Sequence, residues 1–290
     1  MQHPVELRLH QYMEDAVNGK STMSEETLTQ VASEIVSAMK KQFDGIGSRK
    51  DFKLRMSNIG RPSCQLWFEK NHPEKALPLP TTFIMNMMIG DIVEAVFKGL
   101  LREAGVTYKD TEKVSLSIDK DTTIDGSYDL VIDDAVDDVK SASPWSYANK
   151  FASYEAVQES DPFGYVGQLA GYAKASGYRP GGWWVVNKGS GEFKYVSAAN
   201  MNVDEVIEDL TDNIKNAMKP DLTRMFEPEE EKFRGKPTGN KVLNDKCKFC
   251  SYRFECWPTL QELPAVMSQA KEPKIVPYVN IKEEFMKNDN

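Results

Sequence analysis

The stretch from Asp125 to Lys140, DGSYDLVIDDAVDDVK, constrains this chain more than any other. The β-formers Tyr128, Leu130, Val131 and Ile132 run into an acidic bend at Asp133 and Asp134. Val136 to Lys140 then resume the pattern, which predicts two short strands joined by a turn. Asp129 falls in the first strand, Asp138 and Lys140 in the second. Side chains alternate along a strand, so Asp138 and Lys140 share one face and Val139 points to the core. Two carboxylates and an ammonium on neighbouring strands suit a hard divalent cation with a cationic neighbour, a combination fitted to phosphodiester hydrolysis.

The rest of the chain sets bounds on that idea. Its 290 residues, 40% hydrophobic, suffice for one large domain or two small ones with a proper core. No apolar run approaches the roughly 20 residues that cross a bilayer. The first residues, MQHPVELRLHQYMED, carry charges throughout and lack the apolar centre of a signal peptide. A cytoplasmic location is expected, with no membrane partner. A net charge of −8 argues against non-specific coating of nucleic acid, but only the surface facing phosphates must be basic. Two basic tracks stand out: Lys40, Lys41, Arg49, Lys50, Lys53 and Arg55, and later Lys232, Arg234, Lys236, Lys241, Lys246, Lys248 and Arg253. A solvated polar face explains each as well as a nucleic-acid track does.

The four cysteines are more telling. Cys247, Cys250 and Cys256 fall as C-x2-C-x5-C, and Cys64 lies far upstream. A reducing cytosol disfavours disulfides, and close C-x-x-C spacing is what metal or cluster ligation needs, so the set reads as one four-thiolate site. Zinc and an iron–sulfur cluster both suit four thiolates.

Taken in order, residues 1–20 carry no clear signal. Ser24 to Phe43 predicts an amphipathic helix with Leu28, Val31, Ile35, Val36, Met39 and Phe43 on its packing face. Gly45 to Gly60 reads as a loop, Pro62 and Ser63 as a helix start with Cys64 in the first turn, and Pro73 to Pro80 as a linker. Thr81 to Gly105 is a second helix, apolar over most of its circumference. In it Gly90 and Glu94 share a face, and Glu94 needs a partner amid apolar neighbours. Val106 to Ile118 predicts a strand. Ser141 to Asp161, with Trp145, Tyr147, Phe151 and Tyr154, reads as a loop with a short helix whose rings suit base stacking or core packing equally. Phe163 to Ser176 is a small-residue helix ending at Gly177, with Gln168 and Tyr172 on one side. Gly181 to Ala198 is a hairpin turning at Lys188 to Gly191, and Val203 to Met218 a further helix. From Lys219 an extended loop leads to the cysteines, and a polar tail follows Pro258.

This order, helices around strands carrying an acid–acid–x–Lys site, predicts an α/β fold with a mixed sheet. It resembles the PD-(D/E)xK nuclease superfamily, and within it the RecB-type exonuclease branch. That signature is a helical G-x-x-x-[HE], G-x-x-D on a strand, [DE]-x-K on the next, and Q-x-x-x-Y on a helix. The matching residues are Gly90–Glu94, Gly126–Asp129, Asp138–Lys140 and Gln168–Tyr172, in that order. Any one pair is weak, and four in order are much stronger. The cysteine pattern further resembles the iron–sulfur nucleases of this branch, the AddB nuclease domain and the cluster-bearing CRISPR-associated exonucleases. There a [4Fe–4S] cluster on four cysteines staples N- and C-terminal segments around the nuclease core.

The resemblance implies a restriction-endonuclease-like core, a central mixed sheet flanked by helices, and three segments: a helical and basic stretch (1–60), the nuclease domain with its cluster ligands (61–258) and a polar tail (259–290). It implies that Glu94, Asp129 and Asp138, with the Val139 carbonyl, hold Mg²⁺ or Mn²⁺. Lys140 then orients or deprotonates the attacking water, and Gln168 and Tyr172 position the strand. Cys64, Cys247, Cys250 and Cys256 hold the cluster, with structural Zn²⁺ as the alternative. Many members carry His where Glu94 stands; a carboxylate there favours Mg²⁺. The expected activity is a DNA exonuclease on single strands or ends, in recombination, replication or repair, with a helicase, annealing or single-strand-binding protein as partner. A structure-specific endonuclease, or a DNA-binding subunit with a vestigial site, is the alternative. The absence of a G-x-x-x-x-G-K-[ST] motor motif fits a stand-alone or phage-encoded enzyme in a host cytoplasm, and nothing in the sequence demands an oligomer.

Overall fold

The computed structural model describes residues 2–44, 52–159 and 161–282. Residues 45–51 of the loop expected over Gly45–Gly60, Arg49 and Lys50 of the first basic track among them, and the last eight positions of the tail (283–290) lie outside them. The helices are α1 (Pro4–Val17), α2 (Glu25–Asp44), α3 (Ser63–Asn71), α4 (Thr82–Glu103), α5 (Pro144–Ala148), α6 (Tyr154–Glu159), α7 (Tyr165–Ser176), α8 (Val203–Ala217) and α9 (Arg253–Cys256). The strands are β1 (Glu112–Ser117), β2 (Thr123–Tyr128), β3 (Leu130–Ile132), β4 (Ala135–Ala142), β5 (Arg179–Asn187), β6 (Phe193–Ser197), β7 (Glu229–Phe233), β8 (Lys236–Val242), β9 (Gln261–Pro264) and β10 (Ile275–Asn280). The fold is mixed α/β, with its strands in three sheets among the described residues.

The chain divides into two compact units, Met1–Gly60 with Leu79–Thr211, and Arg61–Pro78 with Asp212–Asn290. This division cuts across the expected segments. Residues 61–78 leave the expected domain to join the C-terminal third, because α3 buries Phe68 against Tyr252 and Cys256.

In the first unit the order β3-β4-β5-β6 makes a mixed sheet. β3 pairs antiparallel with β4 through a two-residue turn, Ile132 opposite Ala135. Asp133 and Asp134 both have positive φ (50° and 57°), which matches the twist of a tight hairpin and which aspartate tolerates better than bulkier residues. β4 and β5 are parallel, so the chain must cross over between them, and α5, α6 and α7 form that crossover. β6 returns antiparallel to β5. β1 and β2 form a separate antiparallel ribbon. Val139 and Trp184 pack with Phe97 and Leu101 of α4 and with Val5 and Leu9 of α1. Trp183, next along β5, is equally buried and stacks on Tyr154. A strand covered on both faces reads as the continuous apolar run seen in the sequence.

Two expectations need correction here. Residues 1–20 are not featureless: the His3 ring accepts the Val5 N–H, Pro4 starts α1, and Val5 and Leu9 enter the core. The expected packing face of α2 is also rotated. Thr27 and Val31 are buried, whereas Leu28, Val36, Met39 and Phe43 are exposed. Gly99 explains the choice, since a methyl there would collide with Val31, so α2 and α4 meet closely along that line. The first turns of α4 are likewise open, with Phe83, Met85 and Met87 exposed, and only its second half is central.

The second unit contains the sheet β7-β8-β10-β9, antiparallel throughout. Two further corrections follow. The segment expected as an extended loop from Lys219 is one only as far as Pro228; its second half forms the β7–β8 hairpin, turning at Arg234 and Gly235 with positive φ at both. The expected polar tail supplies β9 and β10, with Leu260, Tyr278, Val279 and Ile281 buried. Short strands among lysines and glutamates lack the period-two signal, and pairing within the sheet decides them.

Candidate active site and the cysteine pocket

β2, β4 and α7 bring most of the expected site residues together. Asp129 is not within a strand: it is the joint between β2 and β3. The reason is local, since its Oδ2 accepts the Val139 N–H at 2.8 Å, so a side chain takes the place of a ladder carbonyl. Asp138 and Lys140 share a face of β4 as expected, and Lys140 Nζ lies 2.5 Å from Asp138 Oδ2. That contact is a buried ion pair, Asp138 being almost wholly covered. Lys140 Nζ also stands 3.5 Å from Gln168 Oε1, and Gln168 Nε2 donates to the Tyr172 hydroxyl at 3.1 Å. Four residues along α7 is one turn, which is why these two side chains work from the same flank.

The electrostatics follow from crowding. Burial, then Asp138, then Glu94 push the Asp129 carboxyl well above the usual carboxylate range. Burial works against the Lys140 ammonium, yet Asp138 and Asp129 outweigh it and hold the lysine charged. Burial and Asp138 raise the Tyr172 hydroxyl. Asp129 is therefore crowded by two further carboxylates, Asp138 and Glu94, and partly offset by Lys140.

Glu94 finds the partner it needs in Lys98, one turn on, at 2.8 Å. Lys98 is buried and also donates to Asp110 at 2.9 Å and to Thr111 Oγ1 at 2.6 Å. Thr111 in turn donates to the Asp129 carbonyl at 3.1 Å, so α4 is tied to the joint that carries Asp129. Lys98 was not singled out from the sequence, although its E-x-x-x-K spacing from Glu94 is the signal that could have found it. Tyr165, Lys150 and Asp161 carried no such signal. Lys140 lies 5.0 Å from the centre of the Tyr165 ring, and buried Lys150 lies 4.1 Å from the same ring and 3.7 Å from Asp161. These contacts join distant segments, which spacing cannot show. Of the aromatics considered for stacking, Phe151 is buried, Tyr154 lies on Trp183, Tyr147 takes the Lys194 ammonium, and Trp145 is 67% exposed.

In the second unit all four cysteines line one pocket, with Pro62, Gln65, Phe68, Phe226 and Trp257 among its walls. None is in a disulfide. Burial and the neighbouring thiols push Cys247 up to about 12; burial, with Cys64 and Cys256, does the same for Cys250. Burial also raises Cys64 and Cys256. Among the described residues no group of three or more His, Cys, Asp or Glu side chains forms a ready-made metal site, at either centre.

Two of the seven cations of the second basic track form local pairs, Lys248 with Asp245 and Arg253 with Glu262 at 2.8 Å. In the first, Lys53 pairs with Asp125 at 2.8 Å. Among the described residues no helix is long and apolar enough to cross a membrane.

No protein-family model matches the chain, and no curated protein does. Among solved structures, the crystal structure of SSO0001 is similar over 78% of this chain and 94% of that one, at 11% identity and a TM-score of 0.43, too slight to bear on fold or function.

Proposed function

We propose that this chain is a metal-dependent DNA exonuclease of the PD-(D/E)xK superfamily, RecB-type branch, acting on single strands or ends in recombination, replication or repair. The observation that carries the reading is the convergence of Asp129, Asp138, Lys140, Gln168 and Tyr172 from separate segments into one cluster that also senses Glu94. On this reading the β3–β6 sheet with α4 and α7 is the restriction-endonuclease-like core.

The donor set fits a hard divalent cation. Asp138 and Glu94 both crowd the buried Asp129 carboxyl, and a dication among them would relieve that repulsion alongside the Lys140 ammonium. Glu94, Asp129 and Asp138, with the Val139 carbonyl, would hold Mg²⁺ or Mn²⁺. When bound, the ion supplies a water of lowered pKa and neutralises charge on the phosphoryl oxygens. Lys140, held charged, stabilises the anionic transition state and orients the water from the Asp138 side. Gln168 fixes the lysine's reach and Tyr172 fixes Gln168.

The cysteine pocket fits a soft thiolate-bound centre, a [4Fe–4S] cluster or structural Zn²⁺. Thiols so crowded resist ionising alone, and a bound metal reverses that preference. Such a centre would join α3 to the α9 segment within one unit.

The test is digestion of 5′- and 3′-labelled single- and double-stranded DNA with Mg²⁺. Asp138→Ala is expected to lose activity on the order of 10³-fold or more, the several kcal/mol that metal-borne charge stabilisation supplies. No metal-dependent cleavage by wild type, or equal cleavage by both, overturns the reading. Ladders starting at an end mark an exonuclease, and internal cuts an endonuclease.

A further inference from the structure

The segment between α8 and β7, which the sequence presents as an extended loop, lies along the cysteine pocket. Leu222 packs with Phe68, Tyr252 and Cys256. Phe226 lines the pocket, with the Lys246 ammonium 5.6 Å from its ring centre. The Ser63 N–H lies 3.0 Å from Met225 Sδ. Between these contacts Arg224 donates from Nε and Nη2 to the Cys256 carbonyl, at 3.1 and 2.7 Å. Its guanidinium lies 4.5 Å from the centre of the Trp257 ring, which itself lines the pocket.

Such a fork is spatially fixed: two donors on one carbonyl and a plane stacked on indole leave little freedom. The position has an electrostatic consequence. Four thiolates around Zn²⁺ or around a [4Fe–4S]²⁺ core leave two surplus negative charges, and a cation fixed beside one ligand offsets part of them.

We propose that Arg224 is the positioning residue of the four-cysteine site: it fixes the Cys256 ligand segment and balances the charge of a thiolate-bound metal centre. This rests on the reading of the cysteines as ligands, and is independent of whether the chain cuts DNA. Lys246 and Arg253 line the pocket that Arg224 flanks, but Lys246 is exposed, and Arg253 is divided between Glu262 at 2.8 Å and a single longer bond, 3.5 Å, to the Cys250 carbonyl. Arg224 alone among these cations is bonded to the backbone of a cysteine by both ends of its fork.

The test compares wild type, Arg224→Lys and Arg224→Gln, with Lys232→Gln on β7 as control. Each full-length protein is reconstituted anaerobically, with iron and sulfide or with zinc. The readouts are metal content, absorbance near about 400 nm for a cluster, the rate of metal loss to EDTA and, for iron, the midpoint potential; thermal unfolding checks the fold. Arg224→Gln is expected to lose metal about tenfold faster or more, the range set by outer partners of metal ligands. If the centre is a cluster, its potential falls, because the reduced, more negative state loses its cation. A tenfold change in the redox ratio corresponds to about 59 mV for one electron. Arg224→Lys keeps the charge and loses the fork, so its potential stays nearer wild type than its rate of metal loss does. Wild-type loss rate and potential in a folded Arg224→Gln protein overturn the proposal alone. A wild-type chain that takes up neither metal overturns the four-cysteine reading with it, whatever the DNA assay shows.

Discussion

Asp137, beside the acidic cluster, is a carboxyl that the chemistry does not use. Its oxygens accept from the Tyr195 hydroxyl at 2.8 Å and the Trp184 indole at 3.1 Å, and burial pushes it up to about 7. The unfolded chain releases that proton near the ordinary carboxylate value of about 3.9, so across the interval the native state binds more protons. The contribution is complete below that lower value and is lost as pH rises through about 7. It amounts to about 4 kcal/mol at most, at ~1.4 kcal/mol per pH unit. Asp137→Asn is expected to flatten the fall in urea-unfolding free energy between about pH 4 and pH 7; identical slopes in both proteins would refute the assignment. Lys98 gives a second prediction at this scale. Removing its ammonium leaves Glu94, Asp110 and Thr111 without their shared donor. Since Glu94 and Asp110 reach water, Lys98→Met should cost only about 1–3 kcal/mol, read as a lower urea midpoint at an unchanged m-value. It should lower cleavage as well, because Glu94 loses its anchor.

Among the elements, α7 depends on how closely two chain segments approach. A methyl on Gly164 would strike the backbone of Gly60, and Gly164 has a φ of 77° just before the helix. Gly164→Ala therefore combines overpacking with a left-handed alanine, and a loss of about 1–3 kcal/mol is expected in chemical denaturation. Cleavage should fall further than stability does, because Gln168 and Tyr172 ride on that helix; activity at the wild-type level in the folded variant would disprove the link. The sequence disclosed elements of this kind well. Regular apolar spacing located α4 and α8, a run of small residues closed by Gly177 located α7, and alternation with an acidic turn located β3 and β4 with Asp138 and Lys140 on one face. What it hid was decided by partners rather than by pattern. Asp129 leaves its strand because Val139 offers an N–H to its side chain. α2 turns Val31 inward as expected but leaves Leu28 out, because the glycine of α4 lies opposite Val31. Lys150 meets Tyr165 only because a crossover brings their segments together.

For the molecule as a whole, the C-terminal stretch that looks dispensable in sequence is a structural member of its unit. β10 pairs with β8 on one side and β9 on the other. Its Tyr278 hydroxyl donates to Glu231 at 2.5 Å, and the same carboxylate accepts from Asn240 and Thr238 at 2.8 Å. Val279 and Leu260 pack with Leu243 in a cluster that Cys247 and Trp257 also join. Ending the chain at Pro258 would strip β8 of a neighbour, leave the Glu231 carboxylate short of a donor and open one side of the cysteine segment. Ending it at Lys282 would remove none of these contacts. The shorter chain is expected to be cut rapidly by protease between residues 212 and 258 and to take up no metal, while fragments containing β3–β6 remain protected. The longer one should match the full chain in both respects. Limited proteolysis with mass analysis separates the cases, and protection of 212–258 in the chain ending at Pro258 would show that β9 and β10 are not needed to hold the cysteine segment.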